Sequence, residues 1–591
     1  MPHGRYGIAF LLKLSLSRMA RRRAQQAVSR PVSGKSPAGP PWIRPVVLAL
    51  AGLLLLGWFS SASSDSDTWW TLKTGQYIAQ HRSLAVPDPF SFTTYMGTAS
   101  LPHEATMRDY NLKFEWLAEL LLYLLYAAAG FPGVVLLRAL ALSLLAATSG
   151  TIVYHRSRSL YRALAATLVT AFLSGVFTSD RAYQFTNLFL AATLLILEFR
   201  RGLWLLPPIF LIWANCHGGY ILGFVVLVAH VAESLLLRKQ DRRLWLIAAL
   251  CFLISGINPN GFRGLTILTA YRESAMIRTL FEWQKVPWWP PTFVTLLLAA
   301  ALGMLIWRRA RTRIVDWILL VAFGAAYYTA VRNTPLAGLI APVVIFSYLP
   351  WKRVVAAAAE WAAAAVLLAA LTAELAHGNA FQFHETAWKY PSGAADFLLA
   401  HHVTAPMFNS WEKGGYLMWR LWPQERVFID GRTLNESVFR DYQRMIQDSP
   451  AAGGPSGRDL LDRYGIQVIA LNGFEANSGE PYMLPVMLSN PAQSEWKLVY
   501  QDGQATVFMR DPPNGVQALA SQTVLTSLES QCEVILADDP ERPRCARGLG
   551  RLFARMGDLP RARRWMGTYL ERRKDSNPAD DRLYQQLSAA K

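Results

Sequence analysis

The stretch Phe114-Glu115-Trp116-Leu117-Ala118-Glu119-Leu120-Leu121-Leu122-Tyr123-Leu124-Leu125-Tyr126-Ala127-Ala128-Ala129-Gly130 decides how this chain is threaded. It is apolar, but it is short, carries Glu115 and Glu119, and follows a polar loop. Such a segment either crosses a bilayer or lies along its surface as an interfacial helix. One extra crossing would reverse the side of every later loop.

The other apolar runs are 43 to 62, 133 to 153, 161 to 178, 184 to 199, 203 to 216, 219 to 237, 244 to 258, 293 to 307, 315 to 331, 334 to 350 and 353 to 375, eleven in all. If only these cross, fifteen Lys and Arg fall in cytoplasmic loops, among them Arg156, Arg200, Arg242, Arg313 and Arg353. Six fall outside, including Arg181, Arg278 and Arg332, although two of the external loops are longer. Basic residues collect on the cytoplasmic side, so the bias selects eleven spans. Phe114 to Gly130 then lies along the outer surface, and everything after Ala376 is external.

Composition agrees. A chain of 591 residues that is 52% apolar, with 17% charged residues and 21 Trp, is not one soluble domain. It reads as a polytopic α-helical membrane protein followed by a water-exposed part. The net charge of +18 sits largely in short loops between apolar runs, so it marks topology, and no nucleic-acid partner is expected. Residues 1–42 read as a basic, disordered cytoplasmic arm. Cys216 and Cys251 lie in or beside apolar runs and lack metal-site spacing, whereas Cys532 and Cys545 can pair if the tail is outside the cytoplasm.

With this orientation the unusual polar strings gather on one face. They are Asp65 and Asp67 beside Trp69-Trp70, Phe114-Glu115-Trp116, Ser179-Asp180-Arg181, Asn215-Cys216-His217-Gly218-Gly219, Asn258-Pro259-Asn260-Gly261, Phe281-Glu282-Trp283 and Arg332-Asn333. Each has an ordinary reading: indoles as interface anchors, Asp180-Arg181 as a local ion pair, Asn-Pro-Asn-Gly as a turn. Arg332 is placed against the charge rule and calls for an anionic partner. Their coincidence on one face points to chemistry there, with loops carried by a rigid bundle.

These strings, notably Asp67-Thr68-Trp69-Trp70-Thr71-Leu72-Lys73-Thr74-Gly75, Pro87-Asp88-Pro89-Phe90-Ser91-Phe92-Thr93, Glu115-Trp116, His217-Gly218-Gly219, Glu282-Trp283 and Arg332-Asn333-Thr334-Pro335, resemble a group of bacterial polytopic proteins of the GT-C glycosyltransferase superfamily. That class includes aminoarabinose transferases, protein mannosyltransferases and oligosaccharyltransferases. The likeness continues into Gly414-Gly415-Tyr416 and Asp430-Gly431-Arg432.

The resemblance implies a GT-C-like body with interfacial helices in its first external loop, residues 63–132. It also implies sugar transfer from a polyprenyl-phosphate donor at the outer face of the bacterial cytoplasmic membrane. The acceptor class, whether lipid, glycan or protein, stays open. Asp67 holds the place of the required early acidic residue, with Asp65 competing, and Asp180 stands where some members add a second. Related sequences tend to read Arg-Pro-Gln where this chain has Arg181-Ala182-Tyr183-Gln184. In this reading Asp67 and Asp180 are catalytic, and Arg181, Arg332 and His217 hold the donor phosphate. Asp65, Trp69, Trp70, Glu115, Trp116, Glu282 and Asn333 line the substrate. A divalent cation bridging Asp67 and Asp180 would suit hard carboxylate oxygens, and the metal requirement stays open.

The last third predicts an α/β domain over 376–513, with helices at 391–401, 414–421, 435–445 and 456–464. Strands are expected at 404–408, 426–430 and 466–471, followed by a hairpin from Lys497 to Met509. Residues 514–591 form a helical tail in which 545–573 resembles one tetratricopeptide unit. Two rivals to the enzyme reading are a transporter or flippase of lipid-linked glycans and a non-catalytic envelope assembly protein.

Overall fold

The computed structural model describes residues 40–239, 241–350, 357–432, 434–449, 454–490, 495–574 and 576–589. The arm at 1–39, and Lys352 and Arg353 of the charge count, lie outside them. The chain divides into two compact units, one of Met1–Leu54 with Pro350–Ala373 and one of Leu55–Leu349 with Glu374–Lys591. In the small unit Arg44 Nε meets Glu360 Oε1 at 2.9 Å, and the Trp42 and Trp361 rings stand edge to face 5.2 Å apart.

Each of the eleven apolar runs contains a helix, from Ile43–Phe59 to Ala357–Ala376. Among the described residues two helical stretches, Glu104–Ser157 and Ala358–Ala376, are long and apolar enough to cross a membrane by length and composition, and seven shorter apolar helices accompany them. Inward faces of the larger unit share one core that includes Leu145, Leu194, Phe210, Trp213, Phe323 and Leu339. Outward faces are apolar too, with Leu144, Phe172, Val228, Leu296 and Val321 all exposed.

At one end of this bundle the expected loop cations turn inward. Arg156 meets Glu198 at 2.7 Å and Asp316 at 3.0 Å, and Arg313 meets Glu198 at 2.7 Å and Glu233 at 3.1 Å.

The threading stretch is a helix in its own right. Trp116–Ser157 is broken at Gly130, whose φ of 61° and ψ of −156° only glycine takes readily, and Pro132 follows. The portion before the break packs against the helix Asp67–His81, where a Cβ on Gly75 would strike the backbone carbonyl of Glu119.

Beyond Glu374 the sheet runs β1 (Met407–Asn409), β2 (Val468–Leu471), β4 (Thr506–Met509), β3 (Lys497–Gln501). β1 and β2 are parallel and the other pairings antiparallel. Helices form at Ser392–Ala400, Trp411–Leu421, Glu436–Ile446 and Gly457–Arg463, within or beside the expected ranges.

The strand expected at 426–430 is not formed. Its ladder is made by a side chain instead: Phe428 N–H donates to Asn409 Oδ1 at 2.8 Å, and Asn409 Nδ2 donates to the Ile429 carbonyl at 2.8 Å. On the other side the segment bonds to the first loop, with Val427 N–H on the Phe90 carbonyl and Phe92 N–H on the Val427 carbonyl. Strand-forming residues thus follow a partner more than 330 positions away that no local pattern reveals.

The tail is helical at Thr523–Asp538, Arg544–Met556, Leu559–Arg572 and Pro578–Ala589, and Cys532 and Cys545 form a disulfide. Its core, with Leu528, Leu549, Phe553, Trp565 and Met566, includes Phe474 and Val486 of the α/β region. That shared packing supplies the burial that a single helical hairpin lacks.

Candidate functional site

Asp67 opens the helix Asp67–His81, where a carboxylate is favoured by the exposed N–H groups of the first turn. Arg181 lies in the loop before the helix Tyr183–Phe199, and Glu282 lies in the short turn Phe281–Trp283. The fold brings these three segments together around one guanidinium. Arg181 Nε is 2.8 Å from Asp65 Oδ2, Nη1 is 2.7 Å from Asp67 Oδ2, and Nη2 is 3.1 Å from Glu282 Oε2. Ser179 Oγ donates to Asp65 Oδ2 at 2.9 Å, and the backbone N–H of Asp67 donates to Asp65 Oδ1 at 3.1 Å.

Glu282 extends the cluster to Arg332, whose Nη1 lies 3.1 Å from Oε1. This is the anionic partner that the misplaced Arg332 required. Its guanidinium stands over the rings of Trp283 at 4.7 Å, Tyr183 at 5.4 Å and Phe177 at 5.5 Å, a cation–π setting that holds an arginine near apolar surface.

Glu115 and His217 form the neighbouring pair, with His217 Nε2 3.5 Å from Glu115 Oε1. His217 Nδ1 accepts from Gly219 N–H at 2.9 Å and lies 2.8 Å from Thr186 Oγ1, which leaves the ring hydrogen of a neutral imidazole on Nε2, toward Glu115. Burial, with Arg332 and Arg181 close by, holds the histidine down at about 3. Burial pushes the Glu115 carboxyl up to about 8 against the pull of the same two arginines. Both shifts favour the neutral form of the pair. Trp116 is held by its indole N–H, which donates to Asn215 Oδ1 at 2.8 Å.

Asp180 goes elsewhere. Its Oδ2 meets Arg138 Nη1 at 2.6 Å, and its side chain is 1% exposed against 24% for Asp67. Arg138 also donates to the backbone carbonyls of Phe59 and Ser61, so Asp180 neutralises a buried cation inside the bundle. A cation bridging Asp67 and Asp180 does not fit, because Asp180 is committed to Arg138 and Arg181 already lies against Asp67. Asn333 is also outside the cluster, its amide donating to the Ala326 carbonyl at 2.9 Å. Trp69 is packed on Phe131, Tyr390, Tyr416 and Trp419 at 5.1 to 5.8 Å, and so is a packing residue and not an open stacking face. Trp70 is buried beside Gly415 and Gly431.

The C-terminal region supplies the lid of Asp67. Gly431 abuts Asp67 Oδ1 so closely that a Cβ there would collide with it. Asp430-Gly431-Arg432 is held by a buried triad: Arg432 Nη1 and Nη2 meet Asp88 at 2.8 and 3.2 Å, and Nε and Nη2 meet Asp430 at 2.7 Å. Asp430 is a partner two residues away in sequence, and Asp88 lies 344 positions from Arg432. Gly431→Ala is expected to retain the fold but to lower turnover by roughly a hundredfold, the cost of displacing a reacting group by about 1 Å. Turnover set against the thermal melt of the same variant checks this.

Among the solved structures the chain is similar to the oligosaccharyltransferase of Archaeoglobus fulgidus. Against the crystal structure of its apo form the TM-score is 0.45 at 11% identity, covering 80% of this chain and 75% of that one. Against the form tethered through a disulfide to an acceptor peptide containing the NVT sequon it is 0.42 at 10% identity, covering 83% and 77%. No protein-family model matches the chain, and no curated protein does. The chemistry of the site is therefore read from its own residues.

Proposed function

We propose that the chain is an integral-membrane glycosyltransferase that takes a sugar from a polyprenyl-phosphate carrier at the outer face of the cytoplasmic membrane. The observation that carries this reading is a partly open carboxylate, Asp67, gripped by Arg181 on one oxygen and flanked by Gly431 and the Trp70 indole, with a second arginine on an aromatic bed close by. The apolar outward faces of the helices support the membrane setting.

In the proposed reaction an acceptor hydroxyl passes its proton to Asp67 Oδ1 as its oxygen bonds to the anomeric carbon. The bond from that carbon to the carrier phosphate breaks, and the electron pair leaves on the phosphate oxygen. Arg332, with donors beyond the one spent on Glu282, takes that charge together with Arg181. Trp283, already under the guanidinium and only half-buried, offers apolar surface to the carrier.

The test incubates the purified full chain in nanodiscs with the lipid-linked sugars of its source cells and measures release of polyprenyl phosphate. Release is the expected result. Arg332→Ala should raise the donor KM ten- to a hundredfold, since a hydrogen bond to a charged group contributes about 1.5–3 kcal/mol. A folded chain that consumes no lipid-linked sugar, with an unchanged glycolipid profile in a deletion strain, would end the proposal.

A further inference from the structure

We infer that Arg181 occupies the position a divalent cation would take among Asp65, Asp67 and Glu282, and that this site works without a bound metal ion. Three carboxylates, Asp65 and Asp67 from one segment and Glu282 from another, meet on one guanidinium, and carboxylates are the ligands a hard cation takes. Here the converging point is a guanidinium, with its three nitrogens 2.8, 2.7 and 3.1 Å from the three acids.

The oxygen count carries the argument further. Asp65 Oδ1 accepts the Asp67 N–H, and Asp65 Oδ2 accepts from Ser179 and Arg181. Asp67 Oδ2 and Glu282 Oε2 face Arg181, and Glu282 Oε1 faces Arg332. Only Asp67 Oδ1, among these six, is held by no guanidinium, hydroxyl or backbone N–H among the described residues. A hard cation is held by carboxylate oxygens turned toward it, and here five of the six are turned on Arg181, Arg332, Ser179 or a backbone N–H instead. Charge disfavours the ion as well, because a dication on Asp67 would sit beside Arg181 with Arg332 next in line. Among the described residues no group of three or more His, Cys, Asp or Glu is arranged to hold a metal ion. A fixed guanidinium also keeps the acids from repelling one another, the service a bound ion would supply, with no dependence on metal supply.

This inference concerns the site of the proposed function but uses only its geometry, so metal titration reads it apart from turnover. Manganese is titrated into the detergent-purified full chain and followed by electron paramagnetic resonance. Wild type is expected to give no saturable site. Arg181→Ala, which frees three acids around an open centre, is expected to tighten manganese binding at least about tenfold by removing a like charge in contact. That gain should vanish in the double variant with Asp67→Asn. Stoichiometric manganese on wild type that is lost in Asp67→Asn overturns the inference. So does a folded Arg181→Ala, or Arg181→Gln if the alanine variant does not fold, that binds no better than wild type. The wild-type titration decides even if neither variant folds, and a transferase result of either sign leaves all of these outcomes standing.

Discussion

Asp67→Asn is expected to lower sugar transfer at least about a hundredfold while the chain folds normally, since a positioned general base contributes roughly 10²–10⁴-fold. Asparagine keeps the shape against Gly431 and an oxygen for Arg181 but takes no proton. The same carboxyl predicts the pH profile. Burial raises it, Arg181 and the Trp70 indole pull it down, Asp65 and Glu282 push it up, and the net is a rise from 3.8 to about 6. A base works deprotonated, so transfer should fall as pH drops through about 6 and level off above it. Arg181 is the group that lowers the carboxyl, so loss of its charge should move the break to higher pH. Rates across pH 4.5 to 8 for wild type and Arg181→Gln check both signs, and a wild-type rate flat down to pH 5 removes Asp67 from the role of base.

Arg432→Leu is expected to cost the most stability of any single change at the site. Arg432, Asp88 and Asp430 have side chains 4%, 0% and 2% exposed, and removing the cation leaves two buried carboxylates facing each other. Breaking a buried pair from one side costs about 3–5 kcal/mol, because the abandoned charge has no water to return to. Arg432→Lys should recover little, since one ammonium cannot repeat a fork that meets two carboxylates at once. Adding Asp88→Asn and Asp430→Asn to the leucine variant should restore part of the loss. Thermal melts of the four proteins separate these cases. A melt for Arg432→Leu equal to wild type would mean that Asp430-Gly431-Arg432 is not what clamps the first loop to the C-terminal region.

Much of the helical layout was legible because it depends on local pattern. Eleven apolar runs became eleven helices, and the short acidic stretch that ends at Gly130 is set off from the run beginning at 133. The members of the cluster were also legible one by one, as carboxylates, arginines and aromatics in loops where such residues are costly. Their grouping was not. Asp180 and Arg181 are adjacent in sequence, yet one turns inward to Arg138 and the other outward to Asp67. Arg138 sits inside an apolar run, where periodicity gives no hint that it will claim a loop aspartate. Residues 426–430 read as a strand by composition and found their partners in Phe90, Phe92 and the side chain of Asn409.

By itself, then, the sequence determined where helices run, which end carries the unusual polar groups, and which residue types are available there. Those properties follow from hydrophobic period and from the cost of placing charge beside apolar surface, and both act over a few neighbours. The tertiary structure alone decided that Arg181 lies among three acids, that Asp180 is spent on Arg138, and that Gly431 closes over Asp67. Each of these is a contact between segments from 42 to more than 360 residues apart, and such contacts are chosen by which buried charges find opposite charges once the chain is packed.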